Sequence, residues 1–268
     1  FRALPSVNKI LGSLQNIKFT KTVIDLLIKE FRIISKNSKS DIFEEIEFED
    51  KISIKNLNFS YENSDLSALD NINLSIHKGE SIGITGPSGS GKSTLVDIIL
   101  GLLSPNEGKI LVDNKDISNN LKMWQSIIGY VPQSIYLIDD TLINNIAFGL
   151  GKDEIDKSKI DEAIKKSQLS NFIQSLPEGL NTNVGENGVK LSGGQRQRIG
   201  IARALYNKPK ILIFDEATSS LDVNTEKEVM KSVDFLKGKI TMILIAHRLS
   251  TLTNCDRIVE LKNGKILN

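Results

Sequence analysis

Gly86-Pro87-Ser88-Gly89-Ser90-Gly91-Lys92-Ser93-Thr94 is the stretch on which the reading of this chain turns. It follows the short run Ser81–Thr85 and leads into Leu95-Val96-Asp97-Ile98-Ile99-Leu100, so it is a glycine-rich turn between a strand and a helix. Glycines let such a turn point its N–H groups inward, and the helix that follows presents its positive end to an anion. At this spacing Lys92 can reach the β- and γ-phosphates of a nucleotide, and the Ser93 hydroxyl can coordinate Mg²⁺. An ordinary glycine-rich turn would share the composition. With glycine near ~7% of residues in average proteins, however, the full pattern between a strand and a helix is rare by chance. Phosphate binding is therefore expected here.

Outward from the loop, the apolar runs define the architecture. Ile52-Ser53-Ile54 and Ile72-Asn73-Leu74-Ser75-Ile76 alternate, as strands buried on one face do. Ile82-Gly83-Ile84, Ile127–Val131, Ile211–Phe214 and Met242–Ile245 are nearly all apolar. Such strands, separated by helical stretches, suit a mainly parallel sheet covered by helices on both faces. Between Asp153 and Leu176 lies a charge-rich helical insert with no strand signal. The expected class is α/β, with the helical insert set against the sheet as a subdomain.

Two further constellations carry chemistry. Ile211-Leu212-Ile213-Phe214 ends in Asp215-Glu216, which puts two carboxylates at the C-terminal end of a buried strand, where ligands of open α/β sheets bind. Asp215 is suited to hold Mg²⁺ through water, and Glu216 to orient and deprotonate an attacking water. Leu191-Ser192-Gly193-Gly194-Gln195 precedes Arg196–Leu205 and reads as a second glycine-rich helix start, hence a second anion site. A helix capped by Ser192 is the simpler account, but it gives no reason for two anion sites where one nucleotide needs one.

The segment Leu191–Gln195, between such a loop and such an acidic strand end, resembles the signature of ABC-type ATPases. The likeness covers nearly all of Lys51–Asn268 and implies a P-loop NTPase core with an antiparallel β subdomain and a helical subdomain. It implies that Tyr61 stacks on adenine, that Gln133 touches Mg²⁺ and water and faces a transmembrane domain, and that Ser219–Asp222 crosses to a partner subunit. It also implies that His247 is a switch at the γ-phosphate. Two copies are then expected to pack head to tail, with Ser192, Gly193, Gly194 and Gln195 of one copy on the ATP held by the loop of the other, so the cofactors are ATP and Mg²⁺.

Thr182–Gly188, Asp140–Gly149 and Ile245–Thr251 resemble exporters rather than importers, although Asn144 stands where that family usually has Glu. Against a non-transport ATPase of translation-factor or repair-clamp type, the chain shows one cassette and no long coiled-coil insertion. Residues 42–268 are thus expected to form the ATPase domain, with a helical subdomain over about 134–205.

Residues 1–41 carry apolar positions Leu4, Val7, Leu11, Leu14, Ile17, Ile24, Leu27, Phe31 and Ile34 at a three-four spacing, which predicts a helix with one apolar face. The polar stretch Ser35–Asp41 reads as a linker. Phe1–Ile10 resembles the end of a last transmembrane helix in fused exporters, and its wording resembles that of bacterial flippases of lipid-linked oligosaccharides. The chain opens on Phe1-Arg2 with neither an initiator methionine nor a signal peptide, so it is expected to be a piece of a longer protein or a chain whose start is not included. The exporter resemblance implies a place at the cytoplasmic face of a membrane.

The composition is consistent with this. Of 268 residues, 40% are hydrophobic and 25% charged, and the formal net charge of +1 gives no electrostatic case for nucleic acid. The lone Cys255 cannot form an internal disulfide, and two histidines cannot build a His-rich metal cage.

Overall fold

The computed structural model describes residues 3–36, 47–61, 64, 66–219, 221–246 and 248–267. It divides into two units, Phe1–Phe43 and Glu44–Asn268. The first unit contains helix α1 (Leu4–Lys36). With neither glycine nor proline between Ser35 and Asp41 to stop it, the helix runs through Ser35 and Lys36, where a linker was expected; the rest of that stretch lies outside the described residues. The single apolar face also needs correcting. A three-four stripe drifts by about 20° per heptad on a straight helix, and Ile10, Phe19, Val23, Leu26 and Ile28 are exposed alongside it, so the apolar surface winds around the axis. Among the described residues no helix is long and apolar enough to cross a membrane.

The second unit begins with β1 (Lys51–Phe59) and β2 (Leu69–His77), followed by β3 (Ser81–Thr85) and α2 (Lys92–Ile99). Strands β4 (Glu107–Val112) and β5 (Lys115–Asp116), α3 (Leu121–Ser126) and β6 (Ile128–Val131) come next. The helical stretch comprises α4 (Leu142–Ile146), α5 (Lys157–Lys166), α6 (Ser170–Gln174) and α7 (Gly193–Tyr206). The chain then continues through β7 (Ile211–Asp215), α8 (Val223–Asp234), β8 (Thr241–Ile245), α9 (Leu249–Leu252), β9 (Arg257–Lys262) and β10 (Lys265–Leu267).

Two sheets result. One has the order β2-β1-β4-β5 and is antiparallel. The other has the order β10-β9-β3-β8-β7-β6 and is parallel except for β10. Along β7, Ile211 and Ile213 point into the core shared with the antiparallel sheet and α2. Leu212 and Phe214 point into the core formed with α4, α5, α7 and α8. Burial on both faces is why this strand has no polar alternation, whereas β1 and β2 alternate. The order β3-β8-β7-β6 has one consequence for function. The C-terminal ends of these four parallel strands lie side by side, so Gly86, Ala246, Asp215-Glu216 and Pro132-Gln133 emerge along one sheet edge.

Candidate active site

The loop after β3 closes tightly on itself. Gly86 has φ 153°, and a Cβ there would collide with the Leu261 carbonyl, so no other residue fits. Lys92 is buried, and its ammonium donates to the carbonyls of Gly86 and Pro87, both at 3.0 Å, which fixes the charge inside the loop. Gly91 caps α2 without a side-chain acceptor, and the first turn holds no acid, so its amides remain available to an anion. Ser90 Oγ is buried without a hydrogen-bond partner among the described residues, a polar group suited to a ligand oxygen. Pro87, Ser88, Gly89 and Ser93 are exposed around it. Thr94 Oγ1 lies 3.1 Å from the Tyr61 hydroxyl, while the half-exposed Tyr61 ring stands edge-on to Phe59 at 5.0 Å.

Asp215 and Glu216 end β7. Glu216 sits at φ 49°, a left-handed conformation that costs a non-glycine residue about 1–2 kcal/mol; its N–H donates to the Ile245 carbonyl of β8 at 3.0 Å. Its carboxylate accepts from Gln133 Nε2 at 3.1 Å, and the same nitrogen reaches Ser219 Oγ at 3.3 Å. The Tyr130 phenol donates to Asp215 Oδ2 at 3.1 Å. Burial raises the Asp215 pKa; the Tyr130 bond opposes this, Glu216 and Asp97 add to it, and Lys92 opposes it. Burial also raises the carboxyl of Asp97 on α2. Neither Tyr130 nor Asp97 was singled out from the sequence. Strand order brings them to Asp215 across a large sequence separation, and no local pattern marks them.

The second glycine-rich start is a capped helix. Ser192 Oγ accepts from the Gln195 amide at 3.2 Å, and the Gln195 side chain accepts from Ser192 N–H at 2.8 Å, a capping box. Ser192 is exposed, and its hydroxyl hydrogen remains able to donate outward. Gly193 faces Leu221, and Gly194 faces Thr225 of α8 closely enough to exclude a side chain. Asp222 caps α8 through the amides of Asn224 and Thr225, each at 3.1 Å. His247 lies outside the described residues.

The two segments read as exporter-like lie side by side. Leu142 N–H donates to the Thr182 carbonyl at 3.0 Å, Val184 N–H to the Asp140 carbonyl at 3.1 Å, and Thr141 bridges to Asn183. Asn144 donates to Asp140 at 2.9 Å. Beside them a cavity of about 260 Å³ is lined by Asp140, Ile143, Asn144, Lys152 and Asn181.

The family described as "ABC transporter" matches residues 69–219, from β2 through the phosphate loop, Gln133, Leu191–Gln195 and Asp215-Glu216. The chain belongs to the ABC transporter family. This ABC transporter domain is 43% identical over 210 residues to an ATP-dependent lipid A-core flippase of Cupriavidus pinatubonensis, covering 78% of the chain and 36% of the flippase. It is 44% identical over 217 residues to ABC transporter B family member 14 of Arabidopsis thaliana, covering 81% of the chain and 17% of that protein. Among solved structures, a bacterial Atm1-family ABC exporter with ATP bound is similar at a TM-score of 0.77 and 35% identity, covering 92% of the chain and 44% of the exporter. The chain thus spans about a third of the flippase's length. These likenesses make it an exporter-type nucleotide-binding domain with an ABC ATPase fold, one that binds ATP. Tyr61, Asp222 and His247 lie outside the matched span.

Proposed function

We propose that the chain is the ATP-hydrolysing motor of an exporter. The observation that carries this is the alignment of strand ends that sets the phosphate loop, Asp215, Glu216 and Gln133 along one edge. In this reading Gly86–Thr94 wraps the phosphates, Lys92 holds the β- and γ-phosphates, Tyr61 stacks on adenine, and Glu216 deprotonates the attacking water with Gln133 and His247 beside it. Ser93, Gln133 and Asp215 would hold Mg²⁺. They are hard oxygen donors of the right kind, and Gln133 commits its nitrogen to Glu216 and Ser219, leaving its oxygen for a ligand. When bound, the ion would neutralise charge between phosphate oxygens and the Asp215 carboxylate.

Ser192, Gly193, Gly194 and Gln195 would face the nucleotide of a second copy, with Asp222 at the same junction, so that two head-to-tail copies enclose two ATP molecules. Residues of about 134–205 would form the helical subdomain that carries this signature. The paired segments Asp140–Asn144 and Thr182–Val184 would receive a transmembrane domain fused upstream, with residues 1–41 leading out of it. The assembly would then sit at the cytoplasmic face of a membrane, with no nucleic acid involved. Likeness to lipid A-core flippases supports a lipid-linked saccharide as the cargo class.

Glu216→Gln tests the centre of this reading. It should leave ATP binding intact, lower turnover by about 10²-fold or more, and trap an ATP-bound dimer. Turnover near that of the parent removes Glu216 from the role of base. Apolar spans of about 20 residues encoded upstream of Phe1 would test the fused membrane domain.

A further inference from the structure

Glu226, in the first turn of α8, is a buried carboxylate, only 6% exposed. Charged side chains are almost never this buried unless paired. Its Oε1 accepts from the Thr218 hydroxyl at 3.1 Å and from the Thr251 hydroxyl at 2.5 Å, and its Oε2 accepts from Arg248 at 2.8 Å. These donors come from two separate segments. Thr218 lies two residues after Glu216, in the turn where Ser219 N–H donates to the Glu216 carbonyl and Leu221 N–H to the Thr218 carbonyl. Arg248 and Thr251 follow β8, whose Ile245 carbonyl accepts the Glu216 N–H. One carboxylate therefore ties the turn after β7 to the segment after β8, and does so from the helix that Asp222 caps.

Burying a carboxylate to pair it with a half-exposed Arg248 is a poor way to gain stability, since desolvation of the carboxylate offsets the attraction; what such a pair can specify is relative placement. The two segments held here flank the left-handed Glu216, which lies just past the end of β7 and whose N–H donates to the Ile245 carbonyl of β8.

We propose that Glu226 is a positioning residue for hydrolysis: through Thr218, Arg248 and Thr251 it holds the Glu216 carboxylate and the start of α8 in fixed register with the end of β8. This rests on Glu216 being the base. Glu226→Gln keeps an oxygen for both threonines and sets an amide nitrogen against Arg248, so it breaks the Arg248 part of the link to the segment after β8, leaves the Thr251 part, and opens no cavity.

The test compares steady-state hydrolysis and MgATP binding of the full chain, with and without the substitution. A positioning role predicts that kcat falls about tenfold to a hundredfold while the Kd for MgATP stays within about twofold. A kcat within about twofold of the parent, or a Kd that rises in step with the lost activity, overturns it. Thr251→Val removes one donor, leaves Arg248 in place, and is read by the same split if Glu226→Gln does not fold. Glu216→Gln measured alongside separates the two ideas: retained turnover there defeats the base assignment, whatever the Glu226 variants do.

Discussion

Gln133 donates its side-chain amide to the Glu216 carboxylate at 3.1 Å. The two residues leave neighbouring parallel strands, β6 and β7, in which Val131 pairs with Phe214. Because the same nitrogen also reaches Ser219, Gln133 holds the turn after β7 at two points while remaining exposed itself. Gln133→Ala removes both bonds without opening a core cavity. The kcat for ATP should fall about tenfold to a hundredfold, less than on loss of the carboxylate itself, with almost no change in thermal unfolding. Steady-state hydrolysis measured beside a melting curve checks this, and unchanged kcat would show that the bond does not orient Glu216.

Tyr130 supplies a pH-dependent test. Burial raises the Asp215 carboxyl, and the Tyr130 bond is the leading influence that lowers it. Tyr130→Phe deletes that bond, so the pKa of Asp215 rises further. If the ionised carboxylate is the form that holds the cation, the acidic limb of kcat/KM moves to higher pH in the variant while the alkaline limb stays in place. A pH–rate profile reads the shift directly. An acidic limb at the parental pH would mean that another group titrates there.

What the sequence made legible was contiguous. The phosphate loop and the Asp215-Glu216 pair each lie within a few residues, so spacing alone carried them. The alternation in β1 and β2 against its absence in β7 reported one buried face or two. Pairings created by strand order were not legible. Tyr130 meets Asp215 across 85 positions because β6 lies beside β7, and Thr251 meets Glu226 because α9 follows β8. The capping box of Ser192 and Gln195, by contrast, has the local S-x-x-Q spacing and was within reach of the sequence. The α1 stripe misled because three-four spacing promises a face over two or three turns, and drift unwinds it over 33 residues.

Gly194 was read as part of an anion site, and the packing gives it a second task. A Cβ on Gly194 would lie 2.6 Å from Thr225 Cγ2, where α7 crosses the first turn of α8. Overpacking of that kind costs about 1–3 kcal/mol, against a gain of up to about 1 kcal/mol for alanine over glycine in a helix. Gly194→Ala should therefore destabilise the domain by about 1 kcal/mol. Adding Thr225→Ser removes the methyl, keeps the hydroxyl, and should restore most of the loss. Urea unfolding of the single and double variants decides the matter. A single variant as stable as the parent would show that α7 and α8 relax apart freely.

Ser192→Arg tests whether the signature works on the partner's nucleotide. Ser192 is exposed at the start of α7, away from the chain's own phosphate loop in sequence and carried by a different element. An arginine there should block closure of two copies while the loop of each copy still binds ATP. Hydrolysis should then be lost, with nucleotide affinity of the monomer unchanged. The substitution also deletes the cap, at a cost of about 1 kcal/mol, so Ser192→Ala is the necessary comparison: it loses the cap without adding bulk. In a Glu216→Gln background, size-exclusion chromatography with ATP should show dimer for Ser192→Ala and monomer for Ser192→Arg, with equal binding of a fluorescent ATP analogue. Weakened binding in the Ser192→Arg monomer would mean that this helix start serves the nucleotide of its own chain.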